Sequence, residues 1–235
     1  MTKKPKAIVY VDGLNLYRRS LENSPHLKWL NIFALSERLL PDYQVLLVRY
    51  FTAHIKPGVS LDVGAPVRQQ TYLRALRTLA PSISIHLGKF RLDTRRMPVH
   101  PLSMDPESGT FVTTTVRKAE EKGSDVNLAS RMVADAFLGR ADLFVALTND
   151  SDQVGPLKMM REELGFRVGI IFPIPSERST KELSRIPPDV KAHVTVADLE
   201  ACQFPDNMTD GVGSFFRPPS WSLNSEGPRQ ESEAF

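Results

Sequence analysis

The stretch that decides the fold is Ala7-Ile-Val-Tyr-Val-Asp12, a short apolar, β-branched run ended by a carboxylate. It reads as a buried strand. Working outward, the same unit recurs. Asn31 to Leu40 has helical spacing and stops at Pro41, and Gln44 to Ile55 is a second strand, ended by Lys-Pro-Gly. Pro66 to Leu79 opens with proline in the favoured first turn and reads as a helix. Ser82 to Phe90 alternates as a third strand. Further on, Ser124 to Phe137 is a helix with Ser124 as candidate N-cap, Leu143 to Leu147 a strand, Asp152 to Leu164 a helix, and Phe166 to Phe172 a strand. Residues 177 to 186 are weakly helical, and His193 to Thr195 forms a short last strand.

Strands alternating with helices over short connections imply βαβ units. The expected fold is α/β, a three-layer sandwich with a mostly parallel central sheet and helices on both faces. Residues 91 to 116 break the rhythm with Pro98, Pro101, Pro106 and Gly109 before a threonine-rich stretch, and are expected to form an irregular β arm or hairpin. The main domain is placed at 1–204. The tail 205–235 is rich in Pro, Gly, Ser and Asn, lacks periodicity, and is expected to be disordered, with Phe215, Phe216 and Trp221 as candidate surface anchors.

Composition sets outer bounds. With 235 residues, 41% apolar and 24% charged, the chain is long enough for one sizeable core. No apolar run approaches the roughly 20 residues that cross a bilayer, and the N-terminus lacks a secretory pattern. One cysteine, Cys202, excludes an intrachain disulfide and a cysteine zinc cluster, and a reducing cytoplasm is the expected compartment. The net charge is +3 overall, but the acidic tail carries −3 of its own, so the body is basic. That suits a polyanionic partner as well as ordinary surface balance.

Four aspartates carry the chemistry. Asp12 follows the first strand, Asp150 and Asp152 follow the strand ending at Leu147, and Asp125 lies in the first turn of a helix. Ligands of open α/β sheets bind beyond the carboxyl ends of the strands, so all four could face one edge. Crowded carboxylates repel unless they bind protons or a cation. A hard divalent ion, Mg²⁺ or Mn²⁺, takes oxygen ligands of this kind. Taken singly, Asp12 and Asp152 are at least as well explained as helix caps. Candidate substrate-binding residues are Asn15, Arg18, Arg117, Lys118 and Lys122, within a basic region that also holds Lys89, Arg91, Arg95 and Arg96. His54 is more simply a packing residue than a ligand, and Phe33, Phe51, Phe137 and Phe144 are most simply core.

Val11-Asp-Gly-Leu-Asn-Leu-Tyr17 resembles the opening motif of the NYN family (its LabA-like branch) in the PIN-like nuclease superfamily. The resemblance continues in Lys122-Gly-Ser-Asp-Val-Asn-Leu128 and in Thr148-Asn-Asp-Ser-Asp-Gln153, and covers about residues 6 to 204. It implies a PIN-like fold, a metal site at Asp12, Asp125, Asp150 and Asp152, and Asn15 as a residue orienting a carboxylate or contacting phosphate. It also implies RNA cleavage. The family's last motif has Gly before the first Asp and an aromatic residue after the second, whereas this chain has Asn149 and Gln153.

The leading expectation is therefore a metal-dependent endoribonuclease with RNA, single-stranded or structured, as partner, no membrane, and a homodimer left open. The alternatives are an inactive RNA-binding or regulatory module and, less favoured, a non-nuclease enzyme. A dehalogenase-type phosphatase would want a second Asp where Leu14 stands, and an oxidoreductase would want a nucleotide or flavin signature or softer ligands.

Overall fold

Residues 3–56, 58 and 62–222 are described by the computed structural model. The opening run forms β1 (Lys6–Asp12), and every residue of it after Lys6 is buried. Its period of two sorts the core. Ala7, Val9 and Val11 join one apolar cluster, while Ile8 and Tyr10 join a second on the other face. A strand buried on both sides needs helices above and below.

Those helices arrive in sequence. α1 (Gly13–Leu16) leaves β1 directly and continues as a π-type turn over Tyr17–Leu21. α2 (Ile32–Leu39) is capped by the Asn31 side chain, which accepts from the Phe33 and Ala34 amides at 3.1 and 3.0 Å. β2 (Gln44–Ala53), α3 (Ala65–Arg77) and β3 (Ile83–Pro98) follow, then β4 (Thr113–Lys122), α4 (Ser124–Phe137) and β5 (Leu143–Leu147). The chain ends the domain with α5 (Val154–Lys158), β6 (Val168–Phe172), α6 (Lys181–Ser184), β7 (Val190–His193) and α7 (Val196–Ala201).

The seven-stranded sheet has the order β4-β3-β2-β1-β5-β6-β7. All neighbours are parallel except β3 and β4. The chain runs outward from β1 through β2 and β3, then returns to β5 on the other side of β1. The order therefore reverses at the β1–β5 pair, the kind of crevice where doubly wound sheets place their ligands.

The expected arm is present as a hairpin: β3 leaves β2 after Gly88 and pairs antiparallel with β4 from Lys89↔Lys122 to Pro98↔Thr113. Two expectations are corrected. Ser124 does not cap α4. The cap position is Gly123, whose φ of +98° favours glycine, while the Ser124 hydroxyl donates to Glu121 Oε1 at 2.8 Å. Phe137 is 65% exposed, with its ring against Phe166 rather than in the core.

The tail expectation is corrected as far as residue 222, and residues 223–235 lie outside the described residues. β8 (Asn207–Asp210) and β9 (Gly213–Phe216) form a hairpin. Arg74 clamps it through two 2.7 Å bonds to Asp210 and stacks 4.3 Å from the Phe215 ring. Trp29 anchors the segment, lying within 6.4 Å of Phe204, Phe215 and Trp221 and donating to the Pro205 carbonyl at 2.8 Å. A few large rings on one anchor fix a stretch that has no helix or strand periodicity.

Candidate metal centre and adjoining cleft

The site grows from the end of β1. Asp12 is the N-cap of α1, its Oδ1 accepting from the Asn15 amide at 3.0 Å. Its Oδ2 accepts from the Thr148 hydroxyl at 3.0 Å. The same hydroxyl oxygen accepts from the Asp150 amide at 3.0 Å, so one threonine ties the two loops together across the β1–β5 crevice. Asn15 tightens that tie by accepting from the Asn149 amide at 3.0 Å. Asn149 is held in turn by Thr180, whose amide donates to its side chain at 2.8 Å. The expected role of Asn15 thus resolves into bracing the second acidic loop.

One carboxylate oxygen each of Asp12, Asp125 and Asp150 lies within 4.8 Å of the others. Asp125 reaches the group because Gly123 turns the chain from β4 into α4, placing it in the helix's first turn. Gln153, buried below, reaches the Asp125 backbone carbonyl at 3.4 Å. Asp152 stays outside the group. Its amide donates to Asp150 Oδ1 at 3.0 Å, so Asp150 caps the turn Asp152 belongs to.

The electrostatics are those of an uncompensated acidic cluster. Burial pushes the Asp12 carboxyl up to about 6, resisted by the Asn15 amide and assisted by the charges of Asp125 and Asp150. Asp125 is also raised, first by burial and then by Asp150, Glu121 and Asp152. No lysine or arginine pairs with any of the three clustered aspartates among the described residues. Three convergent oxygens with no countercharge form a donor set of the kind hard divalent cations use.

Beside the cluster lies a cleft of about 330 Å³, lined by α1, α3, the ends of β2 and the base of the arm. Gly13 joins the two features. A Cβ there would meet the Tyr50 ring at 2.5 Å and the Phe51 carbonyl at 2.7 Å, so only glycine lets the tyrosine wall of the cleft lie against the Asp12 turn. Arg18, one of the candidate substrate contacts, lines this cleft. Arg117 lies on the face of the arm shared by Ala119 and Glu121, which also line it. Lys118 and Lys122 lie on the opposite face and pair with Glu120, Lys122 at 2.9 Å. His54 is likewise elsewhere, bonded to Gln70 at 2.9 Å.

Sequence reasoning missed Thr148, Glu121 and Tyr50, and singled out Trp221 only as a surface anchor of the tail. Thr148 had a signal, being the first residue past β5 in the acidic loop. The other three are brought in by the arm, the second strand and the tail, and no spacing announces them.

Comparison with known proteins adds the following. No protein-family model matches the chain. A solved structure of a protein of unknown function from Vibrio parahaemolyticus RIMD 2210633 covers 83% of this chain and 96% of its own, at 13% identity and a TM-score of 0.49. A curated relative, 6-hydroxy-3-succinoylpyridine 3-monooxygenase HspA of Pseudomonas putida (strain DSM 28022 / S16), is 30% identical over 91% of this chain and 74% of its own length. That relative is an oxidoreductase. It overturns the expectation of a metal-dependent endoribonuclease, together with the hydrolase and RNA-binding roles attached to it, in favour of the oxidoreductase that had been the less favoured alternative. Acidic residues clustered at strand ends form a donor set that several chemistries can use. The chain belongs to the family of enzymes represented by the monooxygenase HspA.

Proposed function

We propose that the chain is a monooxygenase-type oxidoreductase acting on a small hydroxylated heteroaromatic compound related to 6-hydroxy-3-succinoylpyridine. The observation that carries this reading is the 30% identity to HspA over 91% of the chain. The acidic cluster and the neighbouring cleft support it by offering a built site at the sheet's topological switch.

We further propose that Asp12, Asp125 and Asp150 hold Mg²⁺ or Mn²⁺. The donor set fits a hard ion, all ligands being carboxylate oxygens. It does not fit the two-histidine, one-carboxylate arrangement of non-haem iron oxygenases. His54 is bonded to Gln70, and His86 sits with Ser84 and Arg49 against the Phe51 ring. When bound, the cation supplies Lewis-acid polarisation of a substrate oxygen.

The chain's own residues supply orientation. Thr148 and the Asn15 amide fix both oxygens of Asp12, and the Asn15–Asn149 bond sets the distance between the two acidic loops. With its carboxyl raised to about 6, Asp12 can exchange a proton near neutral pH when no cation is present. Overall, one atom of dioxygen enters the substrate and the other leaves as water, with two electrons from an external donor and two protons.

The test is turnover of 6-hydroxy-3-succinoylpyridine under ¹⁸O₂, with a reduced nicotinamide as electron donor and Mn²⁺ or Mg²⁺ present. Incorporation of one labelled atom, lost on chelation and in Asp150→Asn, is expected. Folded, cation-loaded protein that neither consumes the donor nor labels this compound or its ring analogues would overturn the proposal.

A further inference from the structure

The walls of the 330 Å³ cleft carry information the acidic cluster does not. Its volume sits at the small end of the roughly 300–1,000 Å³ of ligand pockets. That is room for one ring and a short arm, and too little for a dinucleotide. Tyr17, Tyr50, Tyr72, Phe90 and Trp221 all line it. They come from the π-type turn after α1, β2, α3, the arm and the C-terminal segment, so five separate parts of the chain deliver rings to one space.

Most polar groups on the walls are already engaged. The Gln69 amide spans the Ile55 amide and the Ala53 carbonyl, each at 2.8 Å. The Tyr72 hydroxyl donates to the Leu30 carbonyl at 2.8 Å. Arg68 is paired with Asp62, and Lys28 sits 5.1 Å over the Tyr17 ring. Arg18 is different. Among the described residues it has no hydrogen bond, ion pair or ring contact, although it lines the cleft two turns beyond Asp12. A guanidinium offers five donors in a fork that matches a carboxylate.

We propose that this cleft binds a planar aromatic ring bearing a carboxylate arm, with the rings of Tyr50, Tyr72 and Trp221 holding the aromatic part and Arg18 holding the carboxylate. As an assignment of substrate class it rests on the monooxygenase reading above. As a binding site it stands on the cleft alone. The ring end lies against the Gly13 turn, which brings the aromatic portion beside the acidic cluster. The C-terminal segment is part of the site, since Trp221 forms one wall.

The experiment is equilibrium binding by calorimetry, without cation, reductant or turnover, using three probes. These are 4-phenylbutanoate (ring and charge), 4-phenylbutan-1-ol (ring alone) and butanoate (charge alone). The acid with the ring is expected to bind at least ~10-fold more tightly than either partial probe, a factor typical of one added charge-assisted contact. Arg18→Gln should erase the preference of acid over alcohol while leaving the alcohol's affinity unchanged. Trp221→Ala should weaken both ring-bearing probes, with near-ultraviolet circular dichroism confirming that Arg18→Gln, the milder change, remains folded. Equal affinity for phenylbutanoate and phenylbutanol, or an unchanged preference in Arg18→Gln, overturns the anchor. Butanoate binding as tightly as phenylbutanoate overturns the ring site. Binding as expected with no oxygen insertion would sink the monooxygenase reading and leave this one standing, and the reverse pattern would do the opposite.

Discussion

Asp12 and Asp135 are both almost fully buried, 4% and 1% exposed, Asp12 at the end of β1 and Asp135 on α4, yet they have opposite surroundings. Asp135, near the end of α4, is met by everything a buried carboxylate needs. Arg49 reaches its two oxygens at 2.6 and 3.0 Å, Tyr10 donates at 2.8 Å and Arg140 at 2.8 Å. Burial raises its pKa, but the bonds from Arg49 and Tyr10 and the charges of Arg49 and Arg140 outweigh that and hold the carboxyl below its usual value. Asp12, two residues after Tyr10 on β1, receives one amide and one hydroxyl and no cation, and its carboxyl is pushed up. One acid is completed by the protein and acts as structure. The other is left without a countercharge among the described residues, so that a proton or a bound cation would neutralise it.

The largest expected effect breaks the completed side. Asp135→Ala strands the Arg49 guanidinium, 7% exposed, inside the α4–sheet interface. Leaving one partner of a buried pair uncompensated costs about 3–5 kcal/mol. Urea unfolding should show that loss, and a variant within 1 kcal/mol of the parent, on the order of the usual error, would mean that water reaches the pair and the contrast with Asp12 is false.

The second effect has the opposite cause. Because the folded pKa of Asp12, about 6, exceeds its ordinary 3.8, the folded state binds the extra proton between those values. Its contribution to stability is fully present below pH ~4 and is lost as pH rises through ~6, amounting to about 3 kcal/mol in the cation-free protein. Other carboxylates, held low by arginines, oppose this trend, so the quantity to measure is wild type minus Asp12→Asn across pH 4 to 7. The difference should fall with rising pH and then level. A flat difference would place Asp12 in a wetter, ordinary environment.

How much of this contrast the sequence carries depends on what each feature needs. The strand Ala7–Asp12 is legible because a short apolar run in a βαβ series has few other readings, and Asp12 and Asp150 follow from it as residues at strand ends. Asp135 was not singled out, since an aspartate in a polar-looking helix face gives no sign that Arg49, 86 positions away, will meet it. The hairpin from Asn207 to Phe216 was illegible for another reason. It is held by Arg74 and by the Trp29 cluster, which are long-range contacts on a segment without periodicity. The chemistry was misread because a cluster of three carboxylates looks the same in the sequence whether it serves hydrolysis or oxygenation.

A third effect tests what completes Asp12. Mn²⁺ or Mg²⁺ at about 100 times its dissociation constant should stabilise the folded protein by about 2.7 kcal/mol. Thermal unfolding should register this as a rise in midpoint at pH 7 that shrinks below pH 6, where protons compete at Asp12. Asp150→Asn should abolish the response. A shift of equal size in that variant would assign the cation to another part of the surface.

The smallest effect separates two residues that look alike in the sequence. Asp150 and Asp152 sit two positions apart in one loop, and both were candidate ligands. Only Asp150 has an oxygen within 4.8 Å of the Asp12 and Asp125 oxygens, and it simultaneously caps the turn through the Asp152 amide. The contribution of Asp152 to that bond is its backbone N–H, which any residue but proline supplies. Its charge reaches the cluster only by raising the Asp125 carboxyl, as the last of four causes. Asp152→Asn should therefore leave the cation-induced thermal shift intact and relax Asp125 slightly, strengthening or weakening cation binding by no more than ~3-fold at physiological salt, where exposed charges are screened. A loss as complete as that of Asp150→Asn would make Asp152 a ligand, and the incomplete acid site would then extend one turn further into the loop than its geometry indicates.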